Sequence, residues 1–245
     1  MEARKQAIEL VDRLLNEDKV VSLLVWLTKT YSRETYHHLV NVAEITAEIL
    51  IRRGCREYEL YEVTKGALLH DIGKISVPKN ILNTPNCLTA DEMFVMKSHP
   101  VEGLLYLIKM NEVFSDSYVS NIVKDIVYMH HERRDGSGYP EGVDDIPWYV
   151  ELVSTVDSYE AMRATRCYGR AKSHEEAIET LRKENYEDVY ISDIKTLVET
   201  HIESIISFAK SATLEDLFIF YDIFGYEFSI NDGEIKGAQR SESCR

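Results

Sequence analysis

Apolar residues recur every three or four positions along most of this chain, and that spacing constrains the fold more than any other feature. Ile8, Val11, Leu14 and Leu15 form one stripe; Val20, Leu23, Leu24 and Leu27 form a second; Leu39, Val42, Ile45 and Ile49 form a third. At 3.6 residues per turn, residues so spaced share one helix face. Breakers are few, with 5 Pro and 11 Gly in 245 residues. The pattern predicts further helices over Glu34 to Ile51, Val63 to His70, Val101 to Met110, Ser120 to Met129, Val150 to Met162, Glu175 to Lys183, Asp193 to Lys210 and Leu214 to Phe224. Gly54 and Gly73 end two of them. Thr89 and Glu92 are spaced as a capping box that opens another. Pro78 to Pro85 and Arg133 to Pro147 read as loops. The polar residues from about Asn231 read as a disordered tail. Strand signals are few, so the predicted architecture is all-α, helix packed on helix.

Composition narrows the function. A hydrophobic share of 44% and a charged share of 29% fit a globular chain. The net charge of −14 excludes the basic footprint that a nucleic-acid polymer needs. An anionic substrate would have to be met by local positive charge or by metal. Cys55, Cys87, Cys167 and Cys244 are scattered, with no CxxC spacing, and read as free thiols in a reducing, cytoplasmic setting. Val20 to Leu27 is too short to span a bilayer, so no membrane partner is expected.

Histidines and carboxylates fall where helices could gather them. Glu34 and His38 are four apart, on one helix face. His70 and Asp71 end an apolar helix. His99 stands before a proline at a helix start. His130 and His131 end another helix; adjacent helical residues point about 100° apart, so both reach one ion only at a bend. Asp157 lies on a further helix. Each is, by itself, as ordinary as a core or surface polar residue. Together they are more ligands than one ion needs, which implies two or three ions with Asp71 as the bridge. Imidazole and carboxylate without thiolate suit iron, manganese or zinc.

Three stretches carry a family likeness: His70-Asp71-Ile72-Gly73-Lys74; the run from His130 to Pro140, HHERRDGSGYP; and Val156 to Met162, VDSYEAM, followed by Arg166 and Tyr168. With them the chain resembles the HD-GYP family, a branch of the HD phosphohydrolases, over roughly Tyr31 to Leu181. The resemblance implies an HD-domain helical bundle and a metal-dependent phosphodiesterase. Its cofactors would be two or three divalent ions, usually iron or manganese. It would open cyclic di-GMP to linear pGpG and sometimes on to GMP. It also implies His38, His70, Asp71, His99, His130, His131 and Asp157 as metal ligands and Glu34 as a carboxylate for a third ion. Asp71 and Lys74 would carry the chemistry, with Lys74 and Arg166 at phosphate.

Arg133, Tyr139 and Arg170 are further candidates for substrate contact. Tyr139 reads equally as a ring that stacks on guanine or as a packing anchor. The chain departs from the family pattern at Thr84, Glu151, Glu160 and Gly169, and in a shorter connection over Gly142 to Pro147. The expected organisation is N-terminal helices over 1–30, a catalytic domain over 31–205 and a C-terminal helical extension and tail over 206–245. The N-terminal stripes pack on the core or form a homodimer. The aromatic run from Leu217 to Phe228 serves core packing or a partner. The alternative functions are another HD-type phosphohydrolase, acting on nucleotides or a different cyclic dinucleotide, and a non-enzymatic cyclic di-GMP sensor.

Overall fold

A computed structural model describes residues 2–114, 119–164, 171–211, 226–231 and 234–240. Its helices are α1 (Glu2–Glu17), α2 (Lys19–Tyr31), α3 (Arg33–Arg52), α4 (Glu57–Leu69), α5 (Lys79–Leu82), α6 (Ala90–Met96), α7 (His99–Phe114), α8 (Asn121–Met129), α9 (Trp148–Arg163), α10 (His174–Lys183) and α11 (Asp188–Ser211). The chain divides into two compact units, Glu2–Ile191 and the residues from Ser192 onward. That division falls within the span expected for the catalytic domain, and the first unit includes α1 and α2.

In the first unit α3 is central, packed against α1, α2, α4 and α9, while α4 also packs on α8. Leu39, Val42, Val63, Leu68, Leu69, Ile126, Leu152 and Val156 are buried where these helices meet. All of α9 from Val150 to Asp157 is buried. A helix buried on every side is a core helix, and this one carries Asp157 into the interior with it. The N-terminal stripes go to the core through Val20, Val21, Leu24 and Val25, while Leu23, Trp26 and Leu27 stay exposed. Asp18 joins the two parts. One of its oxygens caps α2 at the amides of Val20 and Val21, and the other accepts from Lys65 Nζ of α4 at 2.6 Å. Lys65 is buried, so Asp18→Ala, which removes both its carboxylate partner and the α2 cap, should cost about 3–5 kcal/mol.

The capping box at Thr89 is present, with both of its hydrogen bonds. Elsewhere the structure corrects the expected boundaries. Helix α4 begins at Glu57, six residues before Val63. Its first turn is acidic and exposed, which suits the positive end of a helix but adds no apolar stripe to read. The Pro78 to Pro85 loop contains α5. A 3₁₀ turn at Ile72–Ser76 precedes it. Helix α11 begins at Asp188, five residues before Asp193.

The C-terminus brings a larger correction. Residues Tyr226–Asn231 form β1 and Glu234–Arg240 form β2, an antiparallel pair with an irregularity between Ser229 and Ile230. The expected disorder from Asn231 is therefore wrong there, although the helical class stands. The alternation Tyr226, Phe228, Ile230 and the dipeptide Asp232-Gly233 were hairpin signals in the sequence. The aromatic run from Leu217 to Phe228 masks them, because it reads as continuous with the helix predicted before it. That helix, Leu214 to Phe224, lies outside the described residues.

Gly73 fixes the approach of the 3₁₀ turn to α7. A Cβ at Gly73 would stand 1.9 Å from the His99 carbonyl oxygen, nearer than atoms can pack. The absence of a side chain there lets the turn that carries Asp71 and Lys74 lie against the end of α7 that carries His99.

Candidate metal centre

Seven of the expected ligands are drawn from five helices to one buried place. His38 lies in the second turn of α3 and Asp157 midway along α9. His70 caps the C-terminus of α4, with Asp71 next. His99 begins α7. Helix α8 ends at Met129, so His130 is its cap and His131 is already in the turn. That is the bend two adjacent histidines need to face one point. His38, His70, Asp71, His99, His130 and Asp157 are buried, and His131 is half-buried.

Asp71 sits between two groups. Its Oδ1 lies 3.1 Å from His99 Nε2 and 3.7 Å from His130 Nε2. Its Oδ2 lies 3.6 Å from His38 Nε2 and 3.5 Å from His70 Nε2. Donor atoms of Asp71, His99, His130 and His131 fall within 4.8 Å of one another, as do those of His38, His70 and Asp71. The carboxylate thus offers one oxygen to each set, the arrangement a bridging ligand requires. Asp157 Oδ1 stands 2.9 Å from His38 Nε2 and 3.7 Å from His70 Nε2.

The histidines are oriented with Nε2 inward. His70 Nδ1 pairs with the Ala67 carbonyl at 2.8 Å, His99 Nδ1 with that of Met96 at 2.8 Å, and His130 Nδ1 with those of Ile126 and Val127 at 3.1 Å. Each Nδ1 proton is thereby used, and Nε2 is the atom turned toward the cluster. His70 Nε2 and Asp71 Oδ1 are buried without a hydrogen-bond partner. Orphaned buried polar atoms carry a desolvation cost, and a divalent cation bound by both would relieve it. The residues present therefore fit the metal that the sequence implies.

The electrostatics agree. Burial pulls His70 down, but Asp71 and Asp157 outweigh it and raise its pKa to about 10. Burial opposes ionisation of Asp71, yet Lys74 and His70 hold that carboxyl well below the usual range. Burial lowers His130 to about 4. Burial and the neighbouring His130 and His99 lower His131 well below an ordinary imidazole. His130 and His131 are thereby neutral imidazoles ready to coordinate. His70 holds a proton that a cation would displace.

The other expected residues are placed unevenly. Lys74 Nζ donates to Asp71 Oδ2 and is mostly covered, a positive charge beside the shared carboxylate. Glu34 is exposed and belongs to none of the ligand groups found among the described residues. Arg133 turns back on its own loop. It donates to the carbonyls of Glu132 and His130 at 2.8 and 3.3 Å, and lies over the Tyr186 ring at 4.7 Å. Tyr139 stacks on His131, centroids 4.6 Å apart and planes 19° apart, the geometry of a packing anchor. Arg166 and Arg170 lie outside the described residues.

Two carboxylates carry roles that the sequence reading did not assign. Glu132 is buried and accepts from the amides of Glu141, Gly142 and Val143 at 2.7, 3.1 and 3.2 Å. It holds closed the loop that follows the histidine pair. Asp135 folds the same loop by accepting from the Ser137 amide at 3.0 Å. A carboxylate just ahead of a Gly-rich run full of unpaired amides was the available signal. The other is Glu160, whose Oε2 lies 2.6 Å from His38 Nδ1.

Glu151, where the family pattern has arginine, is buried and bound in two places by Arg134, through Nε and, at 2.8 Å, through Nη2. Arg134 also reaches Glu187 at 3.0 Å. The guanidinium ties the loop to α9 and is spent on carboxylates. Because Arg134 is half exposed, Arg134→Ala should cost about 1 kcal/mol or less in urea or thermal unfolding. It should leave any substrate KM within about twofold, since a residue that does not touch substrate contributes little to its binding.

A helical bundle that closes on a buried, Asp-centred histidine cluster defines a metal-binding domain of the His–Asp class. The sequence profile of the HD domain family matches residues 15–191, and the chain belongs to that family. The likeness of the His130 to Pro140 run to its HD-GYP branch stands with it. HD domains bind divalent metals, and this cluster can hold them. A probable cyclic di-GMP phosphodiesterase of Vibrio cholerae serotype O1 is 37% identical over 179 residues, covering 68% of this chain and 40% of that protein. A cyclic di-GMP phosphodiesterase of Thermotoga maritima is 36% identical over 161 residues, covering 65% and 42%. The chain thus spans about two fifths of the length of these relatives. A solved HDG"Y"P protein from Bdellovibrio bacteriovorus shares the fold at a TM-score of 0.55 and 17% identity, over 80% of this chain and 70% of that one. No helix among the described residues is long and apolar enough to cross a membrane.

Proposed function

We propose that this chain is a metal-dependent phosphodiesterase that opens cyclic di-GMP to linear pGpG, with iron or manganese as the metal, in the cytoplasm. The observation that carries the reading is Asp71, with one oxygen toward the His99 and His130 pair and the other toward His38 and His70. The relatives named above, which match this region, support the substrate class.

Two divalent ions held there would supply Lewis-acid charge to a phosphodiester oxygen and a water acidified toward hydroxide. The chain's own residues do the rest. Buried carbonyls fix three imidazoles, so no reorganisation is needed at the moment of reaction. Lys74 places a fixed cation beside the shared carboxylate, where phosphoryl oxygens would lie. In a protein of net charge −14, such local positive charge is what admits a dinucleotide bearing two negative charges. Tyr139 covers His131 and narrows access for solvent.

Glu151 and its capture of Arg134 favour a second reading, an HD-type enzyme with a different cyclic dinucleotide, because the loop bordering the centre is braced unlike the family pattern. The test is product analysis of metal-replete protein under reducing conditions, with cyclic di-GMP, other cyclic dinucleotides and mononucleotides offered in parallel. The proposal expects pGpG from cyclic di-GMP ahead of turnover of the others. Faster turnover of another cyclic dinucleotide or of a mononucleotide supports the second reading. Binding of cyclic di-GMP with no product overturns hydrolysis and leaves a sensor.

A further inference from the structure

Three histidines of the cluster are oriented by carbonyls of the preceding turn of their own chain. His70, His99 and His130 can be held this way because each stands at the end of a helix, where backbone groups point outward unused or shared. His38 cannot. It lies inside α3, where the carbonyl ladder is already occupied. Its Nδ1 reaches instead across to α9, to Glu160 Oε2 at 2.6 Å. The other oxygen of that carboxylate accepts from Asn41 Nδ2 at 2.7 Å.

The spacing on the two helices matches. Asn41 follows His38 by three residues, and Glu160 follows Asp157 by three, so each pair shares a helix face. Helix α9 thus faces both ring nitrogens of His38: Glu160 binds Nδ1, and Asp157 Oδ1 stands 2.9 Å from Nε2. Its side chain and that of Glu160 are both mostly buried, at 8% and 12% exposure.

We propose that Glu160 is a positioning residue for the metal centre. It fixes the His38 ring with Nε2 toward Asp71 and Asp157, and sets the affinity of the ion on the His38–His70 side without touching that ion. A carboxylate acceptor behind a ligating imidazole makes the ring a stronger donor than a neutral carbonyl does, and loss of such a partner costs about 10–100-fold in metal affinity. This role rests on the two-ion reading and extends it. The two sides of the centre are built differently, one anchored by backbone and one by a side-chain anion, so one substitution should weaken one side alone.

The test is titration of chelator-stripped protein with manganese chloride, with no nucleotide present. Wild type should bind two Mn²⁺ ions. Glu160→Ala should weaken by about 10–100-fold the same binding event that His38→Ala removes, and leave the other within a factor of about three. Glu160→Gln, which keeps an acceptor oxygen but no charge, should fall between wild type and Glu160→Ala. Combining Glu160→Ala with His38→Ala should add no further loss, as expected of residues that act through one another. Unchanged Mn²⁺ affinities in Glu160→Ala, equal weakening of both events, or a loss additive with His38→Ala would each overturn the role. If circular dichroism shows that Glu160→Ala fails to fold, Glu160→Gln decides: affinities equal to wild type at both events overturn it. A wild type that binds no Mn²⁺ overturns the metal reading itself, a result distinct from the others.

Discussion

Asp71→Ala should strip the protein of its metal while leaving the helices in place. Asp71 turns a different oxygen to each histidine set, so its removal takes a donor from each. The turn that carries it is held independently, by the close packing of Gly73 on His99 and by the apolar burial of Ile72. Cyclic di-GMP turnover should fall at least about a thousandfold, because charge stabilisation by bound ions is worth several kcal/mol and each ~1.4 kcal/mol is a factor of ten. Elemental analysis, circular dichroism and product formation on one preparation check the three parts. Retained turnover with metal absent would remove Asp71 from the chemistry.

Glu132→Ala should be among the most destabilising single changes in this region. Three backbone amides lose the carboxylate they donate to, and an unsatisfied buried group costs about 1–3 kcal/mol. Glu141 and Gly142 are exposed and Val143 half-buried, so solvent relieves much of this and a loss of about 2–4 kcal/mol follows. In a unit of this size that lowers the melting temperature by roughly 4–16 °C. Glu132→Gln should cost less. One oxygen still serves Glu141 and Gly142, but its amide then faces the Val143 N–H, donor against donor. The catalytic consequence runs through Tyr139, which rides on this loop and stacks on His131. Thermal unfolding of the two variants checks the order; equal melting temperatures for wild type and Glu132→Ala would contradict it.

Much of this was legible because the signals were local. Stripes at helical spacing gave α1, α2, α3 and α8, and Thr89 with Glu92 marked a helix start that the structure reproduces. The cluster was legible for a different reason. His70, Asp71, His99, His130 and His131 stand at helix ends, and a bundle has few places to bring helix ends together. What escaped depended on contacts across the fold. Glu160 reads as a polar position on α9 until α3 lies beside it. Glu132 reads as one letter of a motif until the loop closes over it. Arg134 and Glu151, 17 residues apart, read as a surface charge and a departure from the family pattern, and only packing makes them a pair. Glu34 shows the converse. Its spacing to His38 is right for a shared face, yet it is exposed in the first turn of α3, outside the ligand groups. The hairpin at Tyr226–Arg240 was written in a period of two and was passed over beside a stronger helical period.

The central claim is that Asp71 can bridge two ions. Crystals of the protein loaded with manganese, measured for anomalous scattering, test that claim. Two peaks should appear, one beside His38 and His70 and one beside His99, His130 and His131, each in contact with a different oxygen of Asp71. A single peak, or peaks that leave Asp71 uncoordinated, would contradict it.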